Sequence, residues 1–296
     1  MTGIICLDKP CDMTSFMAVK RASRILGVKK AGHTGTLDPM ATGVLVIMLG
    51  HCTRFIELLP EHKKSYTAKV KLGITTDTLD ITGEVLSENE VDVSLSQLLS
   101  VAEKFKGDIL QTPPMYSALK KDGERLYDLA RKGIEIEREQ RQITIEKLEI
   151  HNFDGIEFSM DVTCSAGTYI RSLCDDIGRE LGCGAVMTAL RRTEANGFCI
   201  EKSVTLEELE KLVSENKADE VITSVEAALM SYPEINVSKP QANRFQNGGE
   251  LGYERLHGDF PVGIYRVYSP DREFLGLGEI LTEKGDLTVR RVLVKE

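Results

Sequence analysis

Residues 31–43 read Ala31-Gly32-His33-Thr34-Gly35-Thr36-Leu37-Asp38-Pro39-Met40-Ala41-Thr42-Gly43, with three glycines, three threonines and a proline in thirteen positions. Neither a helix nor a strand tolerates that mixture, because glycine costs conformational entropy and proline removes a backbone donor. The stretch is a shaped loop. Directly behind it, Val44-Leu45-Val46-Ile47-Met48-Leu49 is an uninterrupted apolar run that predicts a fully buried strand. A loop feeding a core strand is held rigidly at one end, which suits a site that positions chemistry. Asp38 is the single acid of the loop, Pro39 restricts its backbone, and His33, Thr34 and Thr36 lie within five positions of it. Asp-Pro also initiates ordinary turns, so the loop alone leaves both readings open. It is not a phosphate loop, since no Lys or Arg occurs between His33 and Arg54.

A chain of 296 residues accommodates one large domain and a small one. No apolar run approaches the ~20 residues needed to span a bilayer, and the amino terminus has no signal-peptide pattern, so a cytoplasmic protein without membrane contact is expected. The seven cysteines are scattered, none forms a C-x-x-C pair, and the five histidines do not cluster with them. Neither zinc nor a disulfide framework is expected. A net charge of −9 argues against a nucleic-acid partner until its distribution is read. Residues 1–73 carry eleven Lys/Arg against five Asp/Glu, whereas residues 201–235 carry three against nine. Positive charge collects around the loop, and the field at a binding face matters more than the total.

In chain order, a first strand over residues 3–7 leads through Asp8-Lys9-Pro10 to a helix over 16–26, capped by Ser15 and ended by Gly27. Phe16, Val19, Ala22 and Leu26 share one side of that helix; Lys20, Arg21 and Arg24 form a basic face, with Lys20 and Arg24 candidates for phosphate contact or for simple solvation. Residues 66–72 alternate strictly, putting Tyr66, Ala68, Val70 and Leu72 on the core side. Asp77 and Asp80 have cation-ligand spacing but no further ligands nearby, so no metal is assigned. A helix is expected over 95–106. Residues 111–142 mix prolines, glycines, seven Lys/Arg and six Asp/Glu, with a short helix over 124–132 closed by Gly133, and suit a mobile surface segment. Strands over 143–151 and 156–164 flank turn chemistry at 152–155. A helix opening at Ser165 runs to Leu181, and Arg171 sits in its first turn, where the helix dipole disfavours a cation. That placement points to an anionic partner: Asp38 fits and would be kept ionised by the pairing, while a surface salt bridge to any acid is the plain alternative. A strand over 185–192 and an acidic amphipathic helix from Thr205 follow. Beyond Pro233, a short helix at 239–247 and strands at 262–268, 273–281 and 287–293 form a small β-rich domain. Residues 239–296 carry as many acids as bases, so it is a weak electrostatic anchor.

The segment 32–43 resembles the signature of the tRNA pseudouridine-55 synthases, the TruB family. The likeness extends to Leu7-Asp8-Lys9-Pro10, Lys64-Ser65-Tyr66, Thr76-Asp77-Thr78-Leu79-Asp80, Pro113-Pro114-Met115-Tyr116-Ser117-Ala118-Leu119-Lys120, Gly167-Thr168-Tyr169-Ile170-Arg171 and Leu190-Arg191-Arg192-Thr193, in the family's order. The resemblance implies an α+β pseudouridine-synthase fold: a mixed, mainly antiparallel sheet flanked by helices, plus a small C-terminal PUA-like domain. It divides the chain into a catalytic domain over 1–232, with an RNA-contacting thumb near 111–142, and an RNA-binding domain over 233–296. It makes Asp38 the catalytic nucleophile, with Tyr66 and Arg171 beside it. His33, Tyr66, Tyr169, Leu190, Lys9, Lys20 and Arg24 would bind the substrate. The implied activity is isomerisation of uridine at position 55 in the T-arm of tRNA by base flipping, with a tRNA-folding role alongside. Attack at C6, attack at C1′ and a glycal route all remain open. No cofactor, metal, guide RNA or protein partner is expected, and the protein would act as a monomer. Three other readings stand beside this one: a guide-RNA-dependent synthase, a non-enzymatic RNA-binding protein, and a glycosidase, which would need a second carboxylate.

Overall fold

The computed structural model describes residues 1–60, 63–121 and 123–294. The first half of the chain runs β1 (Gly3–Lys9), α1 (Ser15–Ile25), β2 (Ala31–His33), β3 (Thr42–Leu49), β4 (Lys64–Leu72), β5 (Ile74–Thr76), β6 (Val85–Glu88), α2 (Leu95–Glu103) and β7 (Gly107–Gln111). A two-residue hairpin, β8 (Lys120–Lys121) and β9 (Glu124–Arg125), leads into α3 (Leu126–Arg131). Then follow β10 (Arg141–His151), β11 (Glu157–Cys164), α4 (Ile170–Leu181), β12 (Ala185–Ala195), β13 (Phe198–Cys199) and α5 (Leu206–Ser214). The C-terminal part holds β14 (Glu234–Asn236), α6 (Lys239–Gln246), β15 (Gly263–Tyr268), β16 (Phe274–Ile280) and β17 (Leu287–Val292).

Residues far apart in the chain meet in one sheet, ordered β1-β3-β12-β4-β11-β10-β7, with β2 added to β3 and β13 to β12. Only β3 and β12 pair in parallel; every other junction is antiparallel. Because side chains alternate across a strand, β1 and β3 each serve two cores. Ile5, Leu7, Leu45, Ile47 and Leu49 pack against Ala18, Val19 and Ala22 of α1 and Leu206 and Leu209 of α5. Ile4, Val44, Val46 and Met48 face the other way and join Phe55, Tyr268, Phe274 and Leu277. Tyr66, Ala68, Val70 and Leu72 of β4 are buried, as their alternation predicts, beneath residues of α2 and α4. The second sheet, β14-β15-β16-β17, closes its own core around Phe245, Val267 and Leu275. Its opposite face supplies Tyr268 and Phe274 to the large sheet, where the rings of Phe55 and Phe274 lie 6.4 Å apart.

Several local expectations are corrected. Thr14, not Ser15, caps α1 by accepting from the Met17 amide, which frees Ser15 to turn inward. Phe16, grouped with Val19 and Ala22 on one side of α1, is 71% exposed, whereas Ala18 is fully buried. The helix expected from Ser165 starts at Ile170, because Gly167 adopts φ +87° in the turn before it. The strand expected over 185–192 continues to Ala195. Strands β7 and β14 carry too little alternating pattern to be read in advance, and β7 forms the sheet edge just before the segment 111–142. Among the described residues, no helix is long and apolar enough to cross a membrane.

The shared core makes a direct prediction. Phe55→Ala should destabilise the protein by about 3–5 kcal/mol, the usual cost of truncating a buried phenylalanine. Urea unfolding should show the large sheet and the C-terminal sheet losing stability together rather than one at a time.

Candidate active site

The signature loop is anchored at four points. The Ser15 hydroxyl donates to the Leu37 carbonyl (3.0 Å) and accepts from the Leu37 amide (2.8 Å). The fully buried Lys9 ammonium donates to the carbonyls of Pro10 (2.8 Å), Met13 (2.6 Å) and Pro39 (3.1 Å). Burial lowers the pKa of this amine to about 8. Arg192, 1% exposed, donates through Nε to Val44 O (2.7 Å) and through its terminal nitrogens to Gly35 O (3.1 Å) and Thr36 O (3.4 Å). Thr34 donates to Asn196 Oδ1 at 2.6 Å. At the loop's end Gly43 pairs with Lys9 on one side and Arg192 on the other, at φ +99°. A methyl there would stand 2.2 Å from the Arg192 carbonyl oxygen, so only glycine lets the three strands close.

These anchors hold Asp38 beneath the N-terminus of α4. Arg171 Nε lies 2.9 Å from Asp38 Oδ2, and Nη2 donates to Oδ1 at 3.2 Å, a two-point fork. The remaining donors of the guanidinium reach Thr78 O (2.9 Å) and Tyr116 O (2.8 Å), with Asp80 Oδ2 at 3.6 Å. Arg171 is thus buried, paired and fully oriented, whereas the Asp38 side chain keeps about a third of its surface (34%) open. The pairing expected to keep Asp38 ionised is present, but burial outweighs it. Burial pushes the carboxyl above the ordinary range; Arg171 opposes that shift and Asp80 adds to it.

Tyr66 faces the same side of the sheet, opposite Arg192 in register and in one core with Leu37, Ala41 and Leu190. Burial raises its phenol pKa, so it is uncharged at neutral pH. Leu190 pairs with Ala68 one step along. Tyr169 immediately precedes α4; Gln111 clamps it, donating to its carbonyl (3.0 Å) and accepting from its amide (2.8 Å). His33 ends β2, half-buried, and its buried Nδ1 finds no partner among the described residues. Burial, then Arg192, lowers its pKa, which favours neutral imidazole. Asp77 and Asp80, considered above as cation ligands, spend their oxygens on the turn: Asp77 accepts from the Glu84 amide and Tyr116 hydroxyl, Asp80 from Thr78 and Thr82.

The structure therefore brings together Asp38, Arg171, Tyr66 and Leu190. Lys20 and Arg24 lie apart, exposed on α1. Lys9, expected to touch substrate, is instead a buried brace: with no exposed surface it reaches no phosphate from this position. Arg192, Ser15 and Gln111 were not singled out as site residues. Only the pairing partners of Arg192, two loop carbonyls and one of β3, reveal what it does, and no residue-type pattern encodes carbonyl capping.

The model described as TruB family pseudouridylate synthase (N terminal domain) matches residues 23–170. Two C-terminal models of the same family match residues 171–230 and 233–293. A tRNA pseudouridine synthase B from an Azoarcus species is 46% identical over 99% of this chain and 95% of its own length. One from Clostridium tetani is 46% identical over 94% of this chain and 96% of its own. Among solved structures, a crystal structure of a Cbf5-Nop10-Gar1 complex aligns with a TM-score of 0.76 at 28% identity, covering 98% of this chain and 84% of that one. Fold and site together are those of a pseudouridine synthase. Within that class, the chain belongs to the TruB family.

Two substitutions probe the geometry. Arg171→Lys should lower kcat/KM on the order of 10²-fold, because a point charge cannot hold both carboxylate oxygens and two carbonyls at once; steady-state kinetics would read this. Gly43→Ala should reduce activity and thermal stability together, since its methyl meets backbone that cannot yield.

Proposed function

We propose that this chain isomerises uridine 55 in the T-arm of tRNA to pseudouridine, as a monomer in the cytoplasm, without cofactor, guide RNA or protein partner. The observation that carries the reading is the Asp38–Arg171 fork: a carboxylate oriented by a buried cation yet left open to a substrate. The names of the relatives supply the RNA class. A uracil stacked inside folded RNA is beyond a side chain's reach, so the nucleotide is extruded at a cost of a few kcal/mol. Aromatic faces such as Tyr66 and Tyr169 return about 1–3 kcal/mol per base by stacking. His33, neutral and on the short β2, fills the gap left in the RNA.

Asp38 then initiates the rearrangement. The N1–C1′ bond breaks, uracil turns while held, C5 bonds to C1′, and the proton lost from C5 is balanced by one gained at N1. An uncharged Tyr66 acts here as a stacking surface and donor, not as a phenolate base. The exposed Lys20 and Arg24 contact phosphates, residues 111–142 close on the RNA as a thumb, and residues 233–296 form a second RNA-binding domain behind a catalytic domain of residues 1–232. Arg125 and Arg131 both lie over the Tyr127 ring of that thumb, at 5.7 and 5.5 Å, which supports a basic, aromatic contact surface.

Asp38→Asn should lower kcat on the order of 10³-fold or more while leaving tRNA affinity nearly intact. Tritium release from C5-labelled uridine in a T-arm stem-loop reads the reaction, and normal turnover by this variant would discard the assignment. A second measurement uses the raised carboxyl pKa of Asp38. The reacting form is the anion, so kcat should rise with pH through that pKa. Its acid limb should therefore lie above the ordinary carboxylate range.

A further inference from the structure

Lys64 opens β4 two residues before Tyr66, so the strand's alternation puts both side chains on the active-site face. It stands at the junction of three elements, paired with Cys164 of β11 and Ala195 of β12. Its ammonium reaches the signature loop: a methyl on Gly35 would lie 3.3 Å from Nζ and 3.6 Å from Arg192 Nη1. Two cations thus crowd one glycine, three residues before Asp38.

Their circumstances differ. Arg192 spends its donors on three carbonyls. Among the described residues, the Lys64 ammonium has no hydrogen-bond acceptor and no ion-pair partner, although its neighbour Lys63 pairs with Glu146. A partly buried ammonium beside a guanidinium is costly, since desolvation and like charge both act against it, and both lower its pKa. Among the described residues, no carboxylate pairs with it. The free protein therefore keeps a cation at the rim of its site that no group among the described residues satisfies.

We infer that Lys64 is a phosphate contact, binding the RNA backbone next to the extruded uridine and so fixing the nucleotide's entry over Asp38. Gly35 keeps the route clear, because any side chain there would compete with Nζ for the same space. The inference rests on the RNA-modifying reading above and adds to it a positioning residue and the anion that residue takes.

Lys64→Gln and Lys64→Arg, compared with the unaltered protein, test this on a T-arm stem-loop over a range of salt concentrations. One phosphate contact contributes about 0.7–0.9 to the slope of log affinity against log salt. Lys64→Gln should lose about that much slope and raise KM more than it lowers kcat, while Lys64→Arg retains the slope. Removing a strained cation should also leave the melting temperature unchanged or higher. An unchanged slope in Lys64→Gln, or a variant that melts lower or fails to fold, overturns the inference, because Lys64 would then be a structural brace. If the unaltered protein neither binds nor converts the stem-loop, the RNA reading itself fails, and that outcome is distinct from the others.

Discussion

One buried ion pair governs the arrangement of this molecule. Asp38 and Arg171 are separated by 133 positions in the chain and meet through two contacts. A guanidinium 5% exposed requires compensation, and a carboxylate, two carbonyls and a second carboxylate supply it. The groups that meet arrive on four structural elements: the signature loop, the turn at residues 76–80, the segment leaving β7, and α4. The pair therefore does more than bias one pKa. It gathers into one place the parts of the fold that must agree for the site to exist.

The loop that carries Asp38 shows how much scaffolding a single oriented carboxylate needs. Its carbonyls would be left without partners by the absence of regular structure, and Lys9 and Arg192 satisfy them. Cationic side chains suit that duty because each offers several donors from one buried position. The result is that charge inside this site divides by task. Lys9 and Arg192 hold backbone, Arg171 holds the Asp38 carboxylate, and the Lys64 ammonium remains without an internal acceptor among the described residues.

Much of the architecture was legible because it rests on periodicity. Alternation in β4 and the apolar run of β3 gave the central strands, and Thr205 and Gly182 marked helix ends where the structure has them. What stayed hidden were features decided by tertiary contact. Thr14 and Ser15 are both competent caps; which one caps depends on Leu37, twenty-two residues away from Ser15. Lys9 reads as a surface residue by type, yet three carbonyls make its burial tolerable. The Asp38–Arg171 pairing could be suggested from an awkwardly placed cation, but burial's dominance over that cation in setting the carboxyl's ionisation required coordinates.

The large sheet is used on both sides. Asp38, Tyr66 and the helices α1 and α4 occupy one face, while Tyr268 and Phe274 of the C-terminal sheet press into the other through Phe55. Strands β1 and β3 are the shared wall, a single layer of backbone thick. The C-terminal sheet is consequently seated by packed side chains on the back of the same two strands whose ends, Lys9 and Gly43, brace the signature loop.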